Sequence, residues 1–238
     1  MTYDSDIGYS DLNKTDIGKL SKKVSLIKSI IEKFQVITPN SSVLVAGCGN
    51  GDEAIEIQKL FNARVYGIDL FLEREMETPY LYLKKGDLGK LPFDSKKFDI
   101  IYSYHVLEHV KDPIRVLKEL NRVLKNDGIL FIGFPNANRL LGYIGSHNKM
   151  TILDKVKFNL NDYKYRIKGK FRNEFGAHAG FSLTEFRNLA KPLFSEINCI
   201  RDTYMEKKYE NKRNMIRIIK SLKLQEFFYP SNYFICKK

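Results

Sequence analysis

Gly47, Gly49 and Gly51 stand at alternate positions between the apolar run VLVA (43–46) and the stretch DEAIEIQKLF (52–61). Glycine permits positive φ and removes the Cβ that would keep a ligand off the backbone, and the N–H groups opening a helix present partial positive charge. A small anionic or zwitterionic ligand is expected against this loop. Roughly twenty residues on stands Asp69, where a carboxylate can accept both hydroxyls of a ribose, so the ligand reads as a nucleoside. The dinucleotide fingerprint asks for glycines at the first, third and sixth places, and the sixth after Gly47 and Gly49 is Asp52. A pyrophosphate would face that carboxylate, which disfavours NAD or FAD. A second group is His105, Glu108 and His109, with His178 further on in FGAHAGF. If a helix begins near residue 105, positions 105, 108 and 109 share one face. The alternatives there are a general base at His105 or His109, a metal site, and local hydrogen bonding.

The elements that position these residues alternate regularly. Residues 18–36 place Leu20, Val24, Ile27, Ile30, Ile31 and Phe34 at helical spacing, and Pro39 is expected to end that helix. Strands are read at 43–46, 63–70, 80–87, 98–105 and 127–135, with helices at 52–61 and around 112–124, and a polar helix or turn near LEREME (72–77). Five strands alternating with helices predict an α/β, Rossmann-like, doubly wound sheet, mostly parallel, with helices on both faces. Residues 136–176 show weak periodicity and read as a helical or irregular insertion over the sheet. Residues 181–194 read as a helix with a Ser182–Glu185 capping box, 194–204 as a strand, 206–224 as a basic helix and 232–238 as a last strand. The expected total is seven strands with an antiparallel edge. The chain divides into an N-terminal cap region (1–40), a core (41–135), a lid or substrate insertion (136–180) and a C-terminal completion of the sheet (181–238).

The length of 238 residues, 43% apolar, allows one large domain or two small ones and excludes a disordered tail or a collagen-like fibre. No apolar run approaches the roughly 20 residues of a membrane span, and the start lacks the basic-then-apolar order of a secretory signal. Cys48, Cys199 and Cys236 lack CxxC spacing, so reduced thiols in a cytoplasm fit best. The net charge of +12 is lopsided: residues 139–238 hold 21 Lys and Arg against 9 Asp and Glu, and the first 138 residues are neutral. The second part therefore meets something anionic or is a solvated basic surface. Met215, Ile218, Ile219 and Leu222 lie opposite Arg213, Arg217 and Lys220 on the basic helix, a pattern suited to peripheral membrane contact or to packing on the protein itself.

In order and spacing, Gly47-Cys48-Gly49-Asn50-Gly51, Asp69, Gly86-Asp87, Leu91-Pro92-Phe93, Phe98-Asp99, Val106 to Val110 with Asp112-Pro113, and Glu119 to Gly128 resemble the class I S-adenosylmethionine-dependent methyltransferases, in their small-molecule group. The resemblance covers residues 43 to about 135. It implies S-adenosylmethionine as cofactor, with Gly47, Cys48, Gly49 and Gly51 cupping its methionine part and Asp69, followed by Leu70, on the ribose. Asp87 would accept from the adenine amino group, Leu88 would flank the ring, and Ser103 and Tyr104 would face the methyl. His105, His109 and Tyr104 are the catalytic candidates. The family usually carries an acid two places before the first glycine, and this chain has Val45, so the ammonium contact must come from elsewhere. Aromatic faces near the sulfonium help by cation–π attraction, which makes Tyr3, Tyr9 and Tyr104 candidates to line the pocket. The spacing around Glu108 also resembles the metal-binding E-x-x-E-H arrangement of some O-methyltransferases, with His105 in place of the first Glu. No metal ligand is assigned, a divalent metal being the alternative to a plain base. The expected acceptor is a small molecule, anionic or lipid-linked, methylated at oxygen. DNA is not expected. An RNA methyltransferase, with Lys168, Lys170 and Arg172 on phosphate, and a non-catalytic nucleoside-binding accessory protein are the rival readings. Oligomeric state is left open.

Overall fold

A computed structural model of the chain describes residues 16–142, 151–175 and 178–238. Its strands are β1 (Ser42–Ala46), β2 (Arg64–Asp69), β3 (Met76–Glu77), β4 (Leu81–Lys85), β5 (Phe98–Tyr104), β6 (Leu124–Pro135), β7 (Glu196–Cys199) and β8 (Ser231–Lys237). They form one sheet in the order β3-β4-β2-β1-β5-β6-β8-β7. From β4 to β6 neighbouring strands are parallel, whereas β8 runs antiparallel to both β6 and β7. The uniformly apolar runs Val43 to Ala46 and Ile100 to Tyr102 are sealed on both faces, as parallel strands under two helical layers require.

The helices are α1 (Ile17–Ile31), α2 (Asp52–Phe61), α3 (Pro113–Val123), α4 (Ile152–Ile167), α5 (Leu183–Ala190), α6 (Arg201–Lys208), α7 (Arg213–Ser221) and α8 (Gln225–Phe228). Leu20, Val24 and Ile27 of α1, Ile57 of α2 and Tyr204 of α6 pack with Val43, Val45 and Tyr233 on one face of the sheet. Leu117 and Leu120 of α3 and Phe186 of α5 pack with Leu44, Ile101 and Phe134 on the other. The sheet is thus doubly wound. The Ser182–Glu185 capping box is present at the start of α5.

Several expectations are corrected. The sheet has eight strands rather than seven, because the LEREME turn closes into the two-residue β3, antiparallel to β4. The antiparallel strand β8 lies one place in from the edge, and β7 is the edge. The strand read over 194–204 stops at Cys199, since Ile200, Tyr204 and Met205 bury together at helical spacing and carry the chain into α6. The basic helix read over 206–224 breaks at Tyr209, followed by one tight turn (Glu210–Lys212) and then α7. α1 ends at Ile31, ahead of Pro39, where the N–H groups of Phe34 and Gln35 turn back to the Ile31 carbonyl. Residues 152–167, weakly periodic in sequence, form a regular helix opened by a Thr151–Asp154 capping box.

Candidate active site

β1 is followed in the chain by β2 on one side, while β5 lies on its other side. Strand order reverses between them, and the crevice beyond their carboxyl ends is where open α/β sheets bind ligands. The glycine loop stands there, and its three glycines differ in what requires them. Gly47, Gly49 and Gly51 have φ of +79°, +56° and +96°. A Cβ on Gly47 would lie 2.3 Å from Val106 Cγ2, and one on Gly51 would lie 2.7 Å from Leu83 Cδ1. At Gly49 nothing stands within 4 Å. The loop is therefore packed from beneath at its two ends and open at its middle, a cradle that a ligand can enter and a side chain would fill. Cys48 buries its thiol in the core, and burial, with the Asp69 charge second, pushes that thiol up to about 12. It serves the loop through its backbone, accepting the Gly51 N–H at 2.9 Å.

Asp69 closes β2 beside this opening. Its Oδ2 accepts the Gly49 N–H and its Oδ1 the Phe71 N–H, both at 2.8 Å. A carboxylate has about four acceptor positions, so two remain for a ligand. Leu70, next in the chain, is 52% exposed and Phe71 more so, leaving apolar surface uncovered by the carboxylate. Asp87, past the end of the adjacent β4, caps its own turn by accepting the Gly89 N–H at 2.8 Å and stands 3.7 Å from the Arg115 guanidinium. Leu88 buries its side chain in the core under α3.

At the end of β5, consecutive side chains alternate between faces. Ser103 is buried, while Tyr104 lies on the α1 and α6 face with Tyr102, Tyr204 and Tyr233. The Tyr104 hydroxyl is 3.3 Å from that of Tyr204 and 3.4 Å from that of Tyr233, and burial holds its phenol well above the ordinary range. It stays protonated at neutral pH. Nearby, Glu53 on the first turn of α2 accepts from the Tyr102 hydroxyl and pairs with Lys23 at 2.7 Å, and the Lys23 ammonium lies 4.5 Å above the Tyr104 ring.

His105 follows with φ of +57°. Its N–H donates to the Gly133 carbonyl at 2.7 Å. Its Nδ1 is 3.2 Å from Glu108 Oε1 and its Nε2 is 3.4 Å from Ser231 Oγ. The carboxylate favours the proton on Nδ1, leaving the lone pair on Nε2. Residues 107–109 make one tight 3-10 turn rather than an α-helix, which brings His109 Nε2 to 3.9 Å from the same Glu108 oxygen. The Glu108 side chain is 1% exposed, and its Oε2 finds no hydrogen-bond partner among the described residues. The His178 ring meets that of His109 edge-on at 4.7 Å, and burial, then the His109 charge, holds it below its ordinary value of 6.5. Both His105 and His109 thus turn toward a single buried oxygen. Among the described residues no group of three or more His, Cys, Asp and Glu is disposed to hold a metal ion. Tyr3 and Tyr9 lie outside the described residues. Lys168, Lys170 and Arg172 are exposed beyond the end of α4.

The family described as "Methyltransferase domain" matches residues 44–132, from β1 through most of β6. Over those residues the chain is similar to the methyltransferase domain family. It is 27% identical over 200 residues to a ubiquinone biosynthesis O-methyltransferase of Coxiella burnetii, covering 78% of this chain and 83% of that protein. To a sterol 24-C-methyltransferase of Gibberella zeae it is 34% identical over 103 residues, 39% of this chain and 27% of that one. It spans only about a third or less of the length of some curated relatives it matches, 35% for a Streptomyces fradiae transposon protein. Its fold matches that of a Haemonchus contortus phosphoethanolamine N-methyltransferase solved with phosphomonomethylethanolamine and S-adenosylhomocysteine, with a TM-score of 0.55 and 16% identity over 95% of this chain and 59% of that one. No helix among the described residues is long and apolar enough to cross a membrane.

Sequence reasoning named the glycines, Asp69 and the histidines. It missed Ser231, Val106 as the side chain against Gly47, and the cluster of Tyr204 and Tyr233. These are 29 to 129 residues from what they touch, and no local pattern announces such contacts.

Proposed function

We infer that the chain transfers a methyl group from S-adenosylmethionine to an oxygen of a small acceptor, anionic or lipid-linked. The observation that carries this reading is the contact of Val106 with Gly47, which sets the turn bearing His105 directly against the glycine loop. The cofactor, when bound, supplies a methyl on a sulfonium that needs little further activation. The open backbone at Gly49 and the spare acceptor positions of Asp69 would hold it, with Leu70 beside the ribose and Asp87 and Leu88 toward the adenine.

What the remaining residues supply is alignment and a proton acceptor. Holding the reactants in line contributes on the order of 7–11 kcal/mol in well-oriented systems. His105 Nε2 takes the acceptor's hydroxyl proton, with Glu108 steadying the ring from the Nδ1 side and Ser231 holding Nε2 by a long contact that an acceptor readily replaces. Tyr104, held protonated by burial, is not the proton acceptor. His109 and His178 form the opposite pair above Glu108. Oxygen as the target is supported by the O-methyltransferase relative, which matches over most of both chains.

The test has two arms. Calorimetry should detect binding of S-adenosylhomocysteine; no heat would sink the reading. Mass spectrometry of products from cell extract and labelled cofactor should then find a labelled methyl ether or ester. His105→Ala is expected to spare cofactor binding and lower turnover by about a hundredfold or more, whereas lost binding with intact turnover per bound enzyme would mean the roles are misassigned.

A further inference from the structure

α4 is built with its apolar side outward. At 3.6 residues per turn, Ile152, Leu153, Val156, Leu160, Tyr163 and Ile167 fall within one arc of about 100°. All six are exposed, Ile152 at 81% and Ile167 at 86%. The side that faces the protein is hydrogen-bonded instead. Asp162 pairs with Arg139 at 3.2 Å with both side chains sealed from solvent. Asn159 accepts the Gly142 N–H at 2.7 Å, and Arg166 donates to the carbonyls of Ala137 and Arg139 at 2.9 Å. The apolar surface continues beyond the helix, because Tyr163 donates to the Leu140 carbonyl at 2.6 Å and Leu140 and Leu141 are themselves exposed.

A helix that attaches by polar contacts and turns its apolar arc to water is made to be covered from outside. We propose that this face of α4 docks on an anionic lipid surface. Charge decides the occupant. Lys157 and Lys164 border the arc, and Lys168, Lys170 and Arg172 follow its end, all exposed. Of the two carboxylates on α4, Asp154 is engaged in the Thr151 cap and Asp162 points inward to Arg139. A second copy of a chain with net charge +12 would bring the same basic border against it, whereas an anionic membrane meets both the apolar arc and the lysines. The placement also serves the site. Arg139, which holds Asp162, donates to the carbonyls of Ala179 and His178 at 3.0 and 3.3 Å, and the His178 ring meets His109. One guanidinium therefore joins the docking helix to the histidine pair. The inference does not rest on methyl transfer, since its readout needs no turnover.

The full chain is sedimented with vesicles of phosphatidylcholine alone and of phosphatidylcholine with about one third phosphatidylglycerol. Binding is expected to the anionic vesicles only, and to weaken as salt is raised. Ile152→Asp/Ile167→Asp and, separately, Lys157→Glu/Lys164→Glu should each lower the bound fraction about fivefold or more, with an unchanged thermal unfolding midpoint to show an intact fold. Four results would overturn the proposal: no vesicle binding, equal binding to neutral vesicles, indifference to both double variants, or a dimer in ultracentrifugation that Ile152→Asp/Ile167→Asp dissociates.

Discussion

Asp69 Oδ2 accepts the Gly49 N–H at 2.8 Å, joining the end of β2 to the middle of the glycine loop across twenty residues of sequence. The carboxylate thus shapes the loop as well as facing the proposed ligand. Asp69→Ala removes the tether and the ligand contact together, and S-adenosylhomocysteine affinity should fall about tenfold or more, ~1.4 kcal/mol. Asp69→Asn keeps one acceptor oxygen and should lose less. Calorimetry measures both, and unchanged affinity in Asp69→Ala would remove this residue from the site.

Gly47→Ala and Gly49→Ala separate packing from binding. Both force a side chain into a left-handed backbone, a cost of about 1–2 kcal/mol. At Gly47 the new methyl also meets Val106, adding about 1–3 kcal/mol of overpacking. At Gly49 it enters open space. Thermal unfolding should show the larger loss for Gly47→Ala, while calorimetry should show that Gly49→Ala abolishes cofactor binding in a protein that is still folded.

The buried pair of Arg139 and Asp162 is costly to break from one side. Asp162→Ala leaves the guanidinium sealed without its counter-charge, and such losses run to about 3–5 kcal/mol. Arg139→Met/Asp162→Leu removes both charges and should recover part of that stability. Urea unfolding of the two variants tests it, with the single variant expected to be the weaker.

His178 makes stability depend on pH. Burial, then the His109 charge, lowers its folded-state value below the ordinary 6.5, so the unfolded chain takes up this proton more readily than the folded one. The stability tied to neutral His178 is complete above 6.5 and is lost as pH falls through the lowered value. Melting temperatures followed from about pH 8 to about pH 5 should decline on the acid side, and His178→Gln should flatten that limb.

Local pattern in the sequence determined the alternation of strands and helices, the bounds of α2, the capping box at Ser182 and the glycine loop itself. Each of these depends on residues within a turn or two of one another, where period, cap chemistry and glycine's freedom act directly. Only the tertiary structure decided which glycine is open, because Gly47 and Gly51 are closed by Val106, just past β5, and by Leu83 in the middle of β4. It also decided that β8 enters the sheet between β6 and β7, that Ser231 meets His105, and that α4 turns its apolar arc away from the core. Those outcomes follow from strand order and from which polar groups find partners once desolvated: the Arg139–Asp162 pair could be buried only on the inner side of α4, and that choice left the isoleucines facing out.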